Sequence, residues 1–298
     1  MDRWTLGDVR IDRIVEFEMP RCLPAELLPD ATDEIVERHR HWLEPYMIDP
    51  ATGFLILSWN TWVVRTPRTT VVVDTCGGND KQRPQKQRYH MNNYPYLERL
   101  AAAGVTPETV DYVMCTHLHV DHVGWNTRLI DGRWVPTFPN AQYLFSRLEW
   151  EFWQAEYAKP GFFDDPYYED SILPVIETGQ ARFVEFGHEI DQGIWLEPTP
   201  GHTPGHVCLH VSAGGRDAVI SGDLMHHVLQ AVEPQLNSCW CVDAERSRAT
   251  RRRFLETYSE TDTLIMPAHF PTPSAGRVTG TTSGFDWRFD GPFGKRYS

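Results

Sequence analysis

The stretch Thr116-His117-Leu118-His119-Val120-Asp121-His122 decides how this chain is read. It follows Val110–Cys115, an apolar run that reads as a strand. In extended backbone the side chains alternate, so His117 and His119 point to the same side. Asp121 and His122 fall where the loop turns into a helix, which lets them face a second position beside the first. Two imidazoles for one ion, and a carboxylate with an imidazole for the next, suit zinc or another borderline divalent metal.

Working outward, the remaining ligands stand directly after apolar strands. Thr199-Pro200-Gly201-His202 follows Ile194–Pro198, Gly222-Asp223 follows Ala218–Ser221, and Pro267-Ala268-His269 follows Thr263–Met266. Val73-Asp74-Thr75 closes an earlier strand, Thr70–Asp74. Further strands are expected at Val9–Val15, Phe54–Trp59, Trp62–Arg65, Arg182–Glu185 and His206–Ser212, with helices at Ala31–Leu43, Tyr94–Ala103, Leu148–Tyr157 and Ala244–Ser259. Gly161–Asp170 reads as a loop with an acidic face. Runs of strands separated by helices predict one α/β domain over 1–298, with Pro20–Gly53 as an insertion or cap over a sheet.

Composition narrows the function classes. A 298-residue chain with 41% hydrophobic residues fills a core, which excludes disorder. The net charge of −13 repels a phosphate backbone and excludes nucleic acid as a partner. The basic runs Lys81–Arg88 and Arg246–Arg253 read as solvated surface. No stretch approaches the ~18 apolar residues of a membrane span, and the N-terminus carries charges where a signal peptide needs an apolar run. A cytoplasmic protein without membrane contact is therefore expected. Six cysteines without redox or zinc-knuckle spacing fit that location.

With these residues in view, the chain resembles the metallo-β-lactamase superfold of binuclear hydrolases, over about residues 70 to 270. The resemblance implies a four-layer αββα sandwich with two divalent ions at one edge. Zinc is the expected metal, and manganese, iron or cobalt stay open. It implies that His117, His119 and His202 hold one ion, that Asp121, His122 and His269 hold the other, and that Asp223 bridges them. Asp74 would fix the histidine loop by hydrogen bonds. A bridging Asp223 is similar to the lactonase, glyoxalase II and organophosphate-hydrolase-like branches. Quorum-signal lactonases of this fold often carry a tyrosine three residues after that aspartate. Here the position is His226, followed by His227, a departure from the acyl-homoserine-lactone pattern.

The resulting expectation is a metal-dependent hydrolase of carboxylic esters or lactones, working by attack of a metal-bridging hydroxide. Asp121, Asp223 or His226 would pass a proton to the leaving group. His206 reads as structural. Trp59, Trp125, Trp134, Trp150, Trp153, Phe162 and Phe163 come from segments expected to rim the site, favouring bulky acyl or aryl groups. The substrate is expected to be a small ester, lactone or phosphoester, and a homodimer is implied by resemblance. The nearest alternative is an organophosphate or phosphoester hydrolase on the same ligands. An alternative of another class is a one-iron, persulfide-dioxygenase-like oxidoreductase, in which His117 or His119, His202 and Asp223 hold the iron.

Overall fold

A computed structural model describes residues 2–159, 166–282 and 284–291. In chain order the strands are β1 (Arg3–Leu6), β2 (Val9–Cys22), β3 (Leu55–Arg65), β4 (Thr70–Val73), β5 (Tyr112–Met114), β6 (Thr127–Ile130), β7 (Arg133–Pro136), β8 (Gln142–Ser146), β9 (Ala181–Val184), β10 (Glu189–Asp191), β11 (Ile194–Pro198), β12 (Val207–Ala213), β13 (Arg216–Gly222), β14 (Leu264–Pro267), β15 (Gly276–Thr281) and β16 (Gly284–Phe289). The helices are α1 (Pro24–Leu27), α2 (Asp33–Leu43), α3 (Tyr96–Ala102), α4 (Arg147–Tyr157), α5 (Tyr167–Ser171), α6 (Leu173–Glu177), α7 (Leu229–Val232) and α8 (Ala244–Tyr258). The chain forms two compact units, Met1–Phe17 with Trp59–Gln192, and Glu18–Ser58 with Gly193–Ser298. Two large sheets with helices give the α/β class expected from the sequence.

One sheet has the order β1-β2-β3-β4-β5-β8-β9. Strands β4, β5, β8 and β9 are parallel. Parallel strands are covered on both faces and become continuously apolar, as in Val71-Val72-Val73 and Tyr143-Leu144-Phe145, all buried. Each such side chain withdrawn from water contributes about 1.5–3 kcal/mol. Phe54–Trp59 and Trp62–Arg65, expected as two strands, are one. The intervening Asn60 and Thr61 are buried hydrogen-bonding partners, of Arg13 Nε (2.9 Å) and the Asp74 carbonyl (2.7 Å). The hairpin β6–β7, which was not foreseen, turns on Asp131-Gly132, both at positive φ. Asp-Gly is a favoured pair for such a turn.

In the second unit β11, β12 and β13 run antiparallel in succession, β13 and β14 are parallel, and β15–β16 is a hairpin. Helix α8 starts where the Asp243 side chain accepts from the Arg246 amide (2.9 Å), an N-cap.

Both basic runs depart from the solvated reading. Lys81 and Arg83 are fully buried in the first unit, and Arg83 forms a two-pronged pair with Asp170 (2.6 and 2.7 Å). Arg251 is fully buried in the second, donating to the carbonyls of Pro234, Leu224 and Leu236. Buried charges occur where such partners exist. Part of the expected loop Gly161–Asp170 is helical, since α5 begins at Tyr167. Residues 161–165 lie outside the described residues. No helix among the described residues is long and apolar enough to cross a membrane.

Candidate metal centre

Ligand-bearing residues follow the carboxyl ends of strands. In the first unit β4 and β5 end side by side, presenting Asp74 and the histidine motif. Asp74 sits at φ 56°, a left-handed conformation that aspartate tolerates. Its Oδ1 accepts from the Thr116 amide (2.7 Å), and its Oδ2 from Thr116 Oγ1 (2.9 Å) while lying 2.9 Å from His122 Nδ1. The loop-fixing part expected of Asp74 is what these bonds perform. The Thr75 amide donates to the His122 carbonyl, and the Gly124 amide to that of Cys76 (both 2.8 Å). A Cβ on Gly124 would stand 2.0 Å from the Gly77 carbonyl carbon, so this approach requires glycine. On the other side buried Glu149 of α4 accepts from the Leu118 amide (3.1 Å) and Trp153 Nε1 (2.6 Å). Held this way, His117 Nε2 lies 3.0 Å from His119 Nδ1, and the His117 and His122 ring centres are 4.0 Å apart. Asp121 Oδ1 lies 4.0 Å from His122 Nε2.

In the second unit Asp223, directly after β13, is ringed by imidazoles. Its Oδ2 lies 3.3 Å from His202 Nε2 and 3.1 Å from His226 Nε2, and its Oδ1 lies 3.1 Å from His269 Nε2. All four side chains are buried. His206 behaves as the structural residue it was read to be. Its Nε2 accepts from the Asp223 amide (3.0 Å), which leaves Nδ1 to donate to Thr199 Oγ1 (2.8 Å). His227 turns away from Asp223. Its Nδ1 accepts from the Leu229 amide (3.3 Å) and its Nε2 donates to the Met47 carbonyl (3.0 Å). Burial pushes the His227 pKa down to about 4, with the Met47 bond opposing.

Residues 57–278 match the model of a family described as the metallo-beta-lactamase superfamily. The chain belongs to that superfamily. Over 110 residues it is 32% identical to an N-acyl homoserine lactonase of Bacillus cereus, covering 37% of this chain and 36% of that protein. The chain thus spans about a third of the length of that curated relative. Its fold is similar to a hydrolase of the beta lactamase superfamily, AbOPH (TM-score 0.77, 24% identity, 96% of this chain and 95% of that one). It is also similar to AidC, a dizinc quorum-quenching lactonase (TM-score 0.75, 19% identity, 97% of each).

For a member of this superfamily the donor set fits divalent ions. In four histidines Nδ1 is occupied by the protein: His117 by Thr116 Oγ1 (3.1 Å), His122 by Asp74, His202 by Cys241 Sγ (3.6 Å) and His269 by the Ser58 carbonyl (3.0 Å). Their Nε2 atoms are the ones that meet the other candidate ligands, the arrangement that orients metal-binding imidazoles. Sequence reasoning missed Glu149, Cys241, Tyr89 and the bond from Trp59 to Asp121, because such contacts leave no spacing signal. Of the tryptophans expected to rim the site, Trp153 packs 5.3 Å from His119. Three others serve packing instead: Trp125 stacks on Tyr96, Trp134 lies under Lys81 and Trp150 stacks on Phe183. Phe162 and Phe163 lie outside the described residues.

Proposed function

We propose that this chain is a binuclear metal-dependent hydrolase of carboxylic esters or lactones. In this reading His117, His119 and His202 would hold one ion, Asp121, His122 and His269 would hold the other, and Asp223 would be shared. The observation that carries the reading is the division of the Asp223 carboxylate. One oxygen meets His202 and the other meets His269, so the carboxylate would have an oxygen to offer beside each imidazole if ions were bound. Zinc suits the nitrogen-and-carboxylate donors. When bound, two such ions supply a nucleophile at neutral pH and polarise the scissile carbonyl.

The chain's own residues do the rest. Asp74 and Glu149 hold the motif loop in one geometry. His226, in contact with Asp223 Oδ2, would hold a proton at Nε2 and pass it to the leaving group, Asp121 and Asp223 being the alternative donors for that transfer. The exposed Trp240 beside His226 (5.5 Å) offers an aromatic face to an apolar acyl or aryl group.

The test is metal content per chain after purification without chelator, paired with turnover of an aryl ester, a lactone and an aryl phosphotriester. About two zinc ions, the count a two-metal site requires, with ester or lactone hydrolysis is the expected result. Turnover of the triester alone moves the electrophile to phosphorus. One iron per chain with no hydrolysis overturns the reading.

A further inference from the structure

The segment from Lys81 to Met91 has basic side chains that the sequence leaves on the surface, yet the structure buries two of them. Arg83 is clamped on Asp170, and Lys81 Nζ donates to Thr127 Oγ1 (2.6 Å) and to the Asp170 carbonyl (2.9 Å). An anchored segment this polar needs a purpose, and its next buried side chain supplies one. Tyr89, on a single 3-10 turn (Gln87–Tyr89), donates its hydroxyl to Asp121 Oδ2 at 2.7 Å. Trp59 Nε1 lies 3.0 Å from the same oxygen and 3.0 Å from the Tyr89 hydroxyl. The Trp59 ring is fixed in turn by Phe17, stacked at 4.2 Å, which also stacks on Tyr94 at 4.8 Å.

We infer that Tyr89 and Trp59 are positioning residues for Asp121, and that Lys81–Met91 is anchored in order to present Tyr89. The inference rests on the proposal that Asp121 is a metal ligand. The two donors converge on Oδ2, so the carboxylate cannot rotate about its Cβ–Cγ bond without breaking both hydrogen bonds. Oδ1 is thereby kept on the side of His122 Nε2. A carboxylate fixed this way enters coordination without losing rotational freedom, and loss of such partners typically costs about 10- to 100-fold in metal affinity. Removing one hydroxyl at Tyr89 leaves its ring edge-on to Trp59, so packing is conserved while the bond is not.

The experiment is a chelator titration of zinc-loaded protein, reading zinc retained per chain for the natural chain, Tyr89→Phe, Trp59→Phe and Asp121→Ala. Circular dichroism melts of the same samples exclude variants that fail to fold. The expected result is that Asp121→Ala loses one of two ions. Tyr89→Phe and Trp59→Phe should release that ion at about 10- to 100-fold lower chelator concentration, the other ion titrating unchanged. A general loss of structure would weaken both ions together, so the selectivity separates positioning from packing. If both aromatic variants titrate like the natural chain while Asp121→Ala loses an ion, the brace is refuted and the ligand assignment stands. If Asp121→Ala retains both ions, the assignment falls and the brace falls with it.

Discussion

At the scale of single residues, His226 and His227 are neighbours with opposite environments. The turn after β13 aims His226 at Asp223 and sends His227 to the Met47 carbonyl. Replacing His226 with glutamine removes the group proposed to move a proton, so turnover should fall by about 100-fold with metal content unchanged. Steady-state kinetics with metal analysis checks both, and an undiminished kcat would end that assignment. His227 is neutral in the fold because its pKa is held at about 4 against an ordinary 6.5. Between those values the unfolded chain binds a proton that the folded chain does not. The stabilising contribution is therefore complete above 6.5 and is lost as pH falls toward 4. The difference in urea stability between the natural chain and His227→Gln should shrink by roughly 1–3 kcal/mol from pH 7 to pH 4.5, at about 1.4 kcal/mol per unit. A pH-independent difference would place the penalty elsewhere. The sequence shows two histidines but not this divergence, because it depends on the turn geometry between Asp223 and Leu229.

At the scale of elements, the motif loop is clamped by a neighbouring loop on one side and by Glu149 of α4 on the other. Gly124 lies so close to Gly77 that a methyl group meets backbone, which no side-chain rotation relieves. Gly124→Ala should destabilise the fold by at least the ~1–3 kcal/mol typical of overpacking, read as a lower urea midpoint, and should loosen His122, whose carbonyl the same clamp holds. A variant with the natural midpoint would show that the two loops are free to part. The order of elements was legible in part: apolar runs announce β4, β5, β9 and β11 to β14, while β8 (Gln142–Ser146) and the β6–β7 hairpin went unread. What was not legible has a common cause. Asn60-Thr61, Lys81, Arg83 and Arg251 look like breaks or surface in a linear pattern, because hydropathy cannot register partners such as Asp170 or the carbonyls that Arg251 meets.

At the scale of the whole molecule, the candidate ligands run from His117 to His269, so no local segment assembles the set. Fold class was legible because each of these ligand-type residues stands directly after an apolar strand, in the order the resemblance to this superfamily implies. Distributed ligands also tie metal affinity to global stability, since an ion that binds only the folded chain stabilises it by mass action. At free zinc about 1,000 times its dissociation constant the gain is about 4 kcal/mol. That corresponds to a rise in melting temperature on the order of 10 °C. Stripping the metal with a chelator should therefore lower Tm by that order, and adding zinc should restore it. Asp223→Asn keeps the shape of the side chain but removes one charged oxygen from the proposed bridge. Its chelated form should melt near the chelated natural chain, because His206 grips the Asp223 amide rather than the carboxylate. Its zinc-loaded form should gain much less. Calorimetry on the four samples decides the matter: an equal zinc-dependent gain in both chains would mean that Asp223 does not hold the metals, whatever its place among the imidazoles.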